Sequence, residues 1–440
     1  MTAFSFGRIG GSVRNMSLSP IGAILDIDLV QNRVVRLGRE ENPTAALSFS
    51  RSSVADWLTS TDTGLAAQAA ANILRRDNRG ALIEQGATAH GCNSSLLGLA
   101  PGTPGTLPSN WAIRSGLGLT RTLATTTING VQYLDIAFSG TTTSVGSLQI
   151  QLGGTEGSTA FPILQNEPLN TSALVQVVQD HAAVTALSLV SWCFAGTTFV
   201  GADSGGGTSF YADRLALTRA NHQRSITSAT TTNAVGIIVS NTIASGTPVA
   251  FTLRLGLPQM TKTAAVTSPI LTGTSALSRA SDALTIAIPG LSAGSDWTVA
   301  GVARMPKTPA NTLETLFSLG TDVDNRLALR RTAANTLVVD NITAGSNAAG
   351  PAAAHPTTGT RFAFALRRSG ASLGLSLNGA VPMNTTPAAI FPVGAASLVI
   401  GGSGLGTGAW NGFIERVLMF PTTSGDAGLQ ASSTLATWGG

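Results

Sequence analysis

From Trp111 to Phe420 the chain is written in short runs where apolar and polar residues alternate, each closed by Gly, Asn, Ser or Pro. SLQIQLG is one such run, with Leu148, Ile150 and Leu152 against Gln149 and Gln151. A period of two puts successive side chains on opposite faces of a strand, so these runs must pair into sheets with one face buried. Between Trp111 and Leu257 the candidates include VQYLDIAFS, ALVQVVQD, TALSLVSWCFAG, VGIIVSN and VAFTLRLGL. About eight or nine strands with no helix between them is the pattern of a two-sheet jelly roll. The theme resumes at Leu284 (LTIAI) and runs through DWTVAGVARM, NRLALRRTA, RFAFALRRS and WNGFIERVLMFP. With Asn378-Gly379 as a tight hairpin turn, that order suits a concanavalin-type sandwich.

The rhythm breaks between Arg254 and Leu284, where Pro258, Pro269 and Gly273 interrupt small polar residues. Proline lacks the ladder donor and biases the residue before it toward extended backbone. The break is expected to be a connector between two β-domains. The domains expected are an extended segment over 1–92, a jelly roll over 93–262, a connector over 263–283 and a second sandwich over 284–440. The fold class is all-β, with two tandem sandwiches after the extended segment, and residues from about 93 onward are expected to fold unaided. In the first segment, AILDIDLV places Leu25, Ile27 and Leu29 on one strand face and Asp26 and Asp28 on the other. GLAAQAAANILRR, Gly64 to Arg76, has the best helical composition in the chain.

Charged residues make up only 11% of the chain against 43% hydrophobic, so Thr, Ser and Gly must carry much of the solvent face. The formal charge of +4 comes from scattered arginines, and Arg75-Arg76, Arg330-Arg331 and Arg367-Arg368 are the only doublets. Without basic residues clustered among aromatics, nucleic-acid binding is not expected. No apolar run is long enough to span a bilayer, and the first residues lack the apolar core of a signal peptide. Synthesis in a bacterial cytoplasm and no membrane insertion are the expectations. Cys92 and Cys193 make no disulfide framework and no metal-ligand spacing, and Cys193 reads as a core thiol. His181, His222 and His355 are far apart, Glu314 and Glu415 each stand alone, and no cofactor, metal or catalytic residue is expected.

Three pieces, in this order, carry a resemblance. They are LSFSRSSVADW followed by RRDNRGALIEQGAT, then APGTPGTLPSNWAI, then LRLGLPQMTKTAAVTSPILTGTSALSRASDAL. Together they resemble bacteriophage and gene-transfer-agent virion proteins, the head-spike and tail-fibre adhesins. The first piece is similar to that family's "FxRxS…R…G.LIE" opening, although GATAHGCNS stands where the family has an Arg-Thr-Asn tract. The resemblance covers residues 47 to 440. It implies a particle-anchoring region over 1–92, extended backbone across Gly64 to Arg76, a carbohydrate-binding-module-like jelly roll and a laminin-G-like or concanavalin-like lectin module. It further implies a location on the virion surface, capsid or other virion proteins as partners, host cell-surface polysaccharide as ligand, and a homo-oligomer, with a trimer the first guess. A capsule-degrading depolymerase and a decoration protein without ligand are the alternatives.

Sugar recognition needs an aromatic platform and polar side chains in loops. The loops able to supply them are FVGADSGGGTSFYAD, with Asp203, Tyr211 and Asp213, and GTDVDNR, with Asp322, Asp324 and Asn325. The second also spaces oxygen ligands as Ca²⁺ prefers, but a solvated turn is favoured over a metal loop. Trp297, Trp410 and Trp192 sit in alternating strands, and core packing is expected for each. Trp111 follows the Pro/Gly loop and is the tryptophan for which exposure is weighed most, with anchoring as the default.

Overall fold

The computed structural model describes residues 20–438, apart from 59–64, 155–159, 205, 264–265, 290, 293, 306–313, 333, 335, 355, 389–396 and 403–407. Antiparallel strands dominate it, as the alternation requires. Its two units are not laid out in the expected linear order. One gathers residues 1–52, 71–85 and 280–440, and the other 53–70 and 86–279.

The first unit is a sandwich of a ten-stranded and an eight-stranded sheet. The ten-stranded sheet takes strand Leu25–Asp28 between Arg33–Arg36 and the late strand Gly412–Phe420. The eight-stranded sheet ends on Leu47–Ser50, paired with Ala283–Ala287. The extended segment expected over 1–92 is therefore corrected: most of its described strands complete the C-terminal sandwich. Leu25, Ile27 and Leu29 enter one core with Trp297, Phe317, Phe362, Phe364 and Trp410. Asp26, on the opposite strand face as expected, is nevertheless buried. Arg33 meets it at 2.8 Å, and Arg416 grips both its oxygens at 2.8 and 2.7 Å.

The residues of the first resemblance piece explain why that strand order closes. Arg51 Nη1 lies 3.2 Å from Asp282 Oδ1, and Arg75 spans Asp282 Oδ2 at 2.5 Å and Glu84 Oε2 at 2.6 Å. The Glu84 amide donates to Asp282 as well. All four side chains are buried, so two cations and two anions compensate each other where neither sign could stand alone. Arg51, Arg75 and Glu84 thus form a clasp that ties residues 47–52 and 71–84 to Asp282, at the start of the second half of the unit.

The second unit is a jelly-roll-like pair of sheets. One runs through Ala112–Ser115, Gln149–Leu152, Asn233–Ser240, Leu187–Ala195 and Thr198–Phe199. The other runs through Thr120–Ile128, Val131–Thr141, Pro248–Thr261, Pro168–Gln179 and Thr218–Ser225. Leu134, Ile136, Phe138, Leu189, Ile238, Phe251 and Leu253 meet between them. Asn129-Gly130 and Asn378-Gly379 both hold positive φ, the backbone a two-residue hairpin turn demands.

The connector expected over 263–283 is divided instead. Leu277–Arg279 pairs with Ala87–Ala89 in the second unit, whereas Ala283 opens a strand of the first. Thr267, in the same stretch, is held by Arg219 and Gln259. Pro258 falls where the register slips between Ser172 and Leu174, so its missing N–H breaks no regular rung. The helical composition of Gly64 to Arg76 is overridden, since Leu65–Ala69 is a strand paired with Ala55–Leu58. Hydrogen bonds to a neighbouring strand outweigh a propensity worth tenths of a kilocalorie per residue.

Candidate functional site

Strand Leu187–Ala195 turns Leu187, Leu189 and Cys193 into the second unit and Val190, Trp192 and Phe194 out of it. Its neighbour Asn233–Ser240 does the same with Ile238 inward and Val235, Ile237 and Val239 outward. Both faces of this sheet are therefore apolar, where a simple two-layer sandwich needs only one. At Gly196, φ is +62°, and the chain doubles back so that Thr198–Phe199 pairs with Phe194–Ala195. Phe199 is left 53% exposed beside the outward aromatics. Its ring meets Trp192 edge-on at 5.7 Å and Phe194 at 5.9 Å.

Arg114 comes from the edge strand Ala112–Ser115. Its guanidinium carbon is 5.2 Å from the Trp192 ring centroid and 5.8 Å from that of Phe194, and its Nη1 donates to Gln151 Oε1 at 2.8 Å. The result is a part-buried indole flanked by a protruding phenyl ring and a cation. Three other tryptophans commit their indole N–H to backbone carbonyls: Trp111 to Cys92, Trp410 to Arg304 and Trp438 to Ser432. Among the described residues no acceptor meets the Trp192 N–H. Val190, Phe194, Val235 and Ile237 are themselves buried on this face, so its accessible part is the Phe199 ring with the uncovered edge of Trp192, which can stack on an apolar ring face.

Most of the expected site residues stand elsewhere, and nothing brings all six together. Asp203 is fully buried and accepts from the Thr227 amide and hydroxyl, the Ser228 amide and the Thr231 hydroxyl. Burial pushes its pKa up, but those donors outweigh it and hold the carboxyl below its usual value. Its oxygens organise a loop. Tyr211 is half-buried beneath Arg214, 4.1 Å from the ring centroid, and Arg214 pairs with Asp180. Asp213 is exposed nearby in sequence. In the first unit, Asp322 Oδ1 accepts from the Asp324 amide and the Asn325 side chain, and Asn325 Oδ1 accepts from the Ala344 amide. These three residues shape a hairpin turn, the favoured expectation for GTDVDNR.

Trp297 and Trp410 pack in the core as expected, and Trp192 packs part-buried against the smaller cluster of Val190, Phe194, Val235 and Ile237. Trp111 takes the anchoring role, nearly buried with its N–H on Cys92. Burial pushes both cysteine thiols up to about 12, which leaves them inert. His222 is buried, and desolvation with the nearby Arg224 lowers it to about 4. His355 lies outside the described residues. Among the described residues no group of three or more His, Cys, Asp or Glu could hold a metal ion. No described helix is long and apolar enough to cross a membrane.

Sequence reasoning missed Arg114 and Phe199. Phe199 opens the loop that was singled out for Asp203, but its exposure depends on the doubling-back at Gly196. No known family profile matches the chain, and no curated protein does. Among solved structures, the Ruminococcus gnavus IT-sialidase CBM40 bound to α2,6 sialyllactose is 18% identical, over 32% of this chain and 84% of that one, at a TM-score of 0.28. A native heptameric SAP-like pentraxin from Limulus polyphemus is 16% identical, over 32% and 72%, at 0.23. Domains LG4-5 of the mouse laminin α1 chain are 11% identical, over 66% and 92%, at 0.22.

Proposed function

We propose that this protein binds glycans through the outward aromatic face of its second unit, as a surface adhesin of a phage-like particle. The observation that carries the binding reading is the exposed Phe199 ring set edge-on against the part-buried Trp192, which Arg114 flanks. The aromatic rings would take the apolar face of a sugar, and Arg114 and Gln151 would border its hydroxyls. A shallow face of this kind binds weakly, so adhesion would rest on many copies per particle. The virion surface, partner virion proteins, host polysaccharide and an oligomer follow from the resemblance of the Arg51-to-Glu84 pattern and the pieces after it. Binding without cleavage is part of the proposal, because among the described residues the face carries no pair of carboxylates able to flank a glycosidic bond.

Trp192→Ala is the direct test, read by calorimetry against host polysaccharide fragments. Affinity is expected to fall about tenfold or more, the order of a lost aromatic anchor, with the fold unchanged by circular dichroism. Unchanged affinity would remove the face from consideration. New reducing ends on incubating the polysaccharide with the protein would favour the depolymerase alternative.

A further inference from the structure

The edge strand Ala112–Ser115 also borders a separate cleft. The strands Ala112–Ser115 and Thr120–Ile128 are edge strands of the two sheets of the second unit, joined through Gly116 to Leu119. Between them lies an open cavity of about 430 Å³ with a floor of Ile113, Leu119 and Phe138. The Pro/Gly loop forms one wall. It folds back on itself through Ala100 and Thr106 and onto the edge strand through Gly102 and Leu123.

The loop also fixes the one charged side chain of the lining. Arg121 donates Nε to Pro104 O and Nη2 to Gly105 O, both at 2.9 Å. These backbone carbonyls are its partners, and among the described residues no carboxylate pairs with it. Gly105 can supply its carbonyl there because a Cβ would come within 2.9 Å of two backbone oxygens. A guanidinium oriented by two neutral acceptors keeps its charge for whatever enters the cleft. Thr120, exposed at the rim, adds a hydroxyl.

We propose that this cleft is a second ligand site, distinct from the aromatic face, and that it takes the carboxylate-bearing residue of an acidic glycan. The floor matches the C–H face of a sugar ring, Thr120 its hydroxyl edge, and Arg121 a carboxylate. The volume is at the small end of ligand sites, enough for one or two such rings. The choice of a sugar rests on the glycan reading above; the cleft and its preference for an anion do not.

The probes are a disaccharide of glucuronic acid and N-acetylglucosamine and the same disaccharide with its carboxyl reduced to an alcohol. Both are titrated into the full chain by calorimetry. The acidic sugar is expected to bind at least tenfold tighter than the reduced one, and Arg121→Gln should abolish that preference. Because Arg121 also holds the loop, Gly116→Leu provides a second variant. A Cβ at Gly116 meets only Ile113 Cγ2, at 3.5 Å, so the larger side chain enters the cleft without a backbone clash. It should weaken the acidic sugar at least tenfold while leaving Arg121 in place. Equal affinity for the two sugars, or no binding of the acidic sugar at millimolar concentration, would overturn the proposal. So would wild-type affinity in both cleft variants. If acidic-sugar binding disappeared in Trp192→Ala but survived both cleft variants, the cleft would be excluded and the aromatic face retained.

Discussion

Glu314 shows how one buried group can set a pH dependence for the first unit. Its side chain is fully buried, with Oε2 3.1 Å from Arg331 Nη1 and Oε1 accepting from the Asn411 amide at 3.2 Å. Desolvation raises its pKa from 4.5 to about 7, more than Arg331 and Asn411 lower it. With the folded value above the unfolded one, the protonated carboxyl favours folding. That contribution is complete below about pH 4.5 and is lost as pH rises through 7. A shift of this size corresponds to about 3 kcal/mol between the two limits. Urea unfolding of the wild type should therefore show stability falling from pH 5 to pH 8. Glu314→Gln, which cannot ionise, should flatten that slope even though it removes the counter-charge of Arg331. An unchanged slope would assign the dependence to other groups.

At the level of elements, the hairpin Arg76–Asp77 and Gly80–Ile83 shows how closely the N-terminal residues fit the late strand. Strand Gly80–Ile83 pairs with Gly412, Phe413 and Ile414, and Arg79 lies over the Phe413 ring at 4.1 Å. Gly80 has φ +100°, and a Cβ there would stand 2.2 Å from the Ile414 carbonyl oxygen. Both the backbone conformation and the space exclude a side chain. Gly80→Ala should cost roughly 2 kcal/mol or more, as strained positive-φ sites do. Hydrogen exchange should report faster opening at 80–83 and 412–414, with the second unit unaffected. Wild-type protection at those amides would mean the hairpin contributes little.

For the whole molecule, the interleaved chain path decides which pieces can stand alone. Starting at Asn93 would remove strand Leu25–Asp28 from between two neighbours and Leu47–Ser50 from its sheet edge. It would also take Arg51, Arg75 and Glu84 from Asp282, leaving a buried carboxylate unpaired at a cost of roughly 3–5 kcal/mol. A protein of residues 93–440 should therefore fail to form the first unit, contrary to the sequence expectation that it folds unaided. Residues 86–279, which hold the two seven-stranded sheets of the second unit, should fold alone. Near-ultraviolet circular dichroism and limited proteolysis of the two pieces would check this. Cooperative unfolding of both sandwiches in the 93–440 piece would refute the interdependence.

The strands themselves were legible in the sequence. Period-two alternation and Asn-Gly turns are local properties, so SLQIQLG, VQYLDIAFS and WNGFIERVLMF declared themselves, as did the core positions of Trp297 and Trp410. What the sequence could not declare was which strands pair across hundreds of residues. Asp26 looked like a solvent face until Arg416, 390 residues away, closed on it. Trp192 looked like a core residue because its strand alternates. Alternation separates two faces of a strand, but only the assembled sheets decide which face is covered. Phe199 reaches the Trp192 ring only because the turn at Gly196 pairs it with Phe194, and Arg114 only because Ala112–Ser115 joins the same sheet at its edge. A site built from three strands is a tertiary property, and tertiary structure alone assembled it.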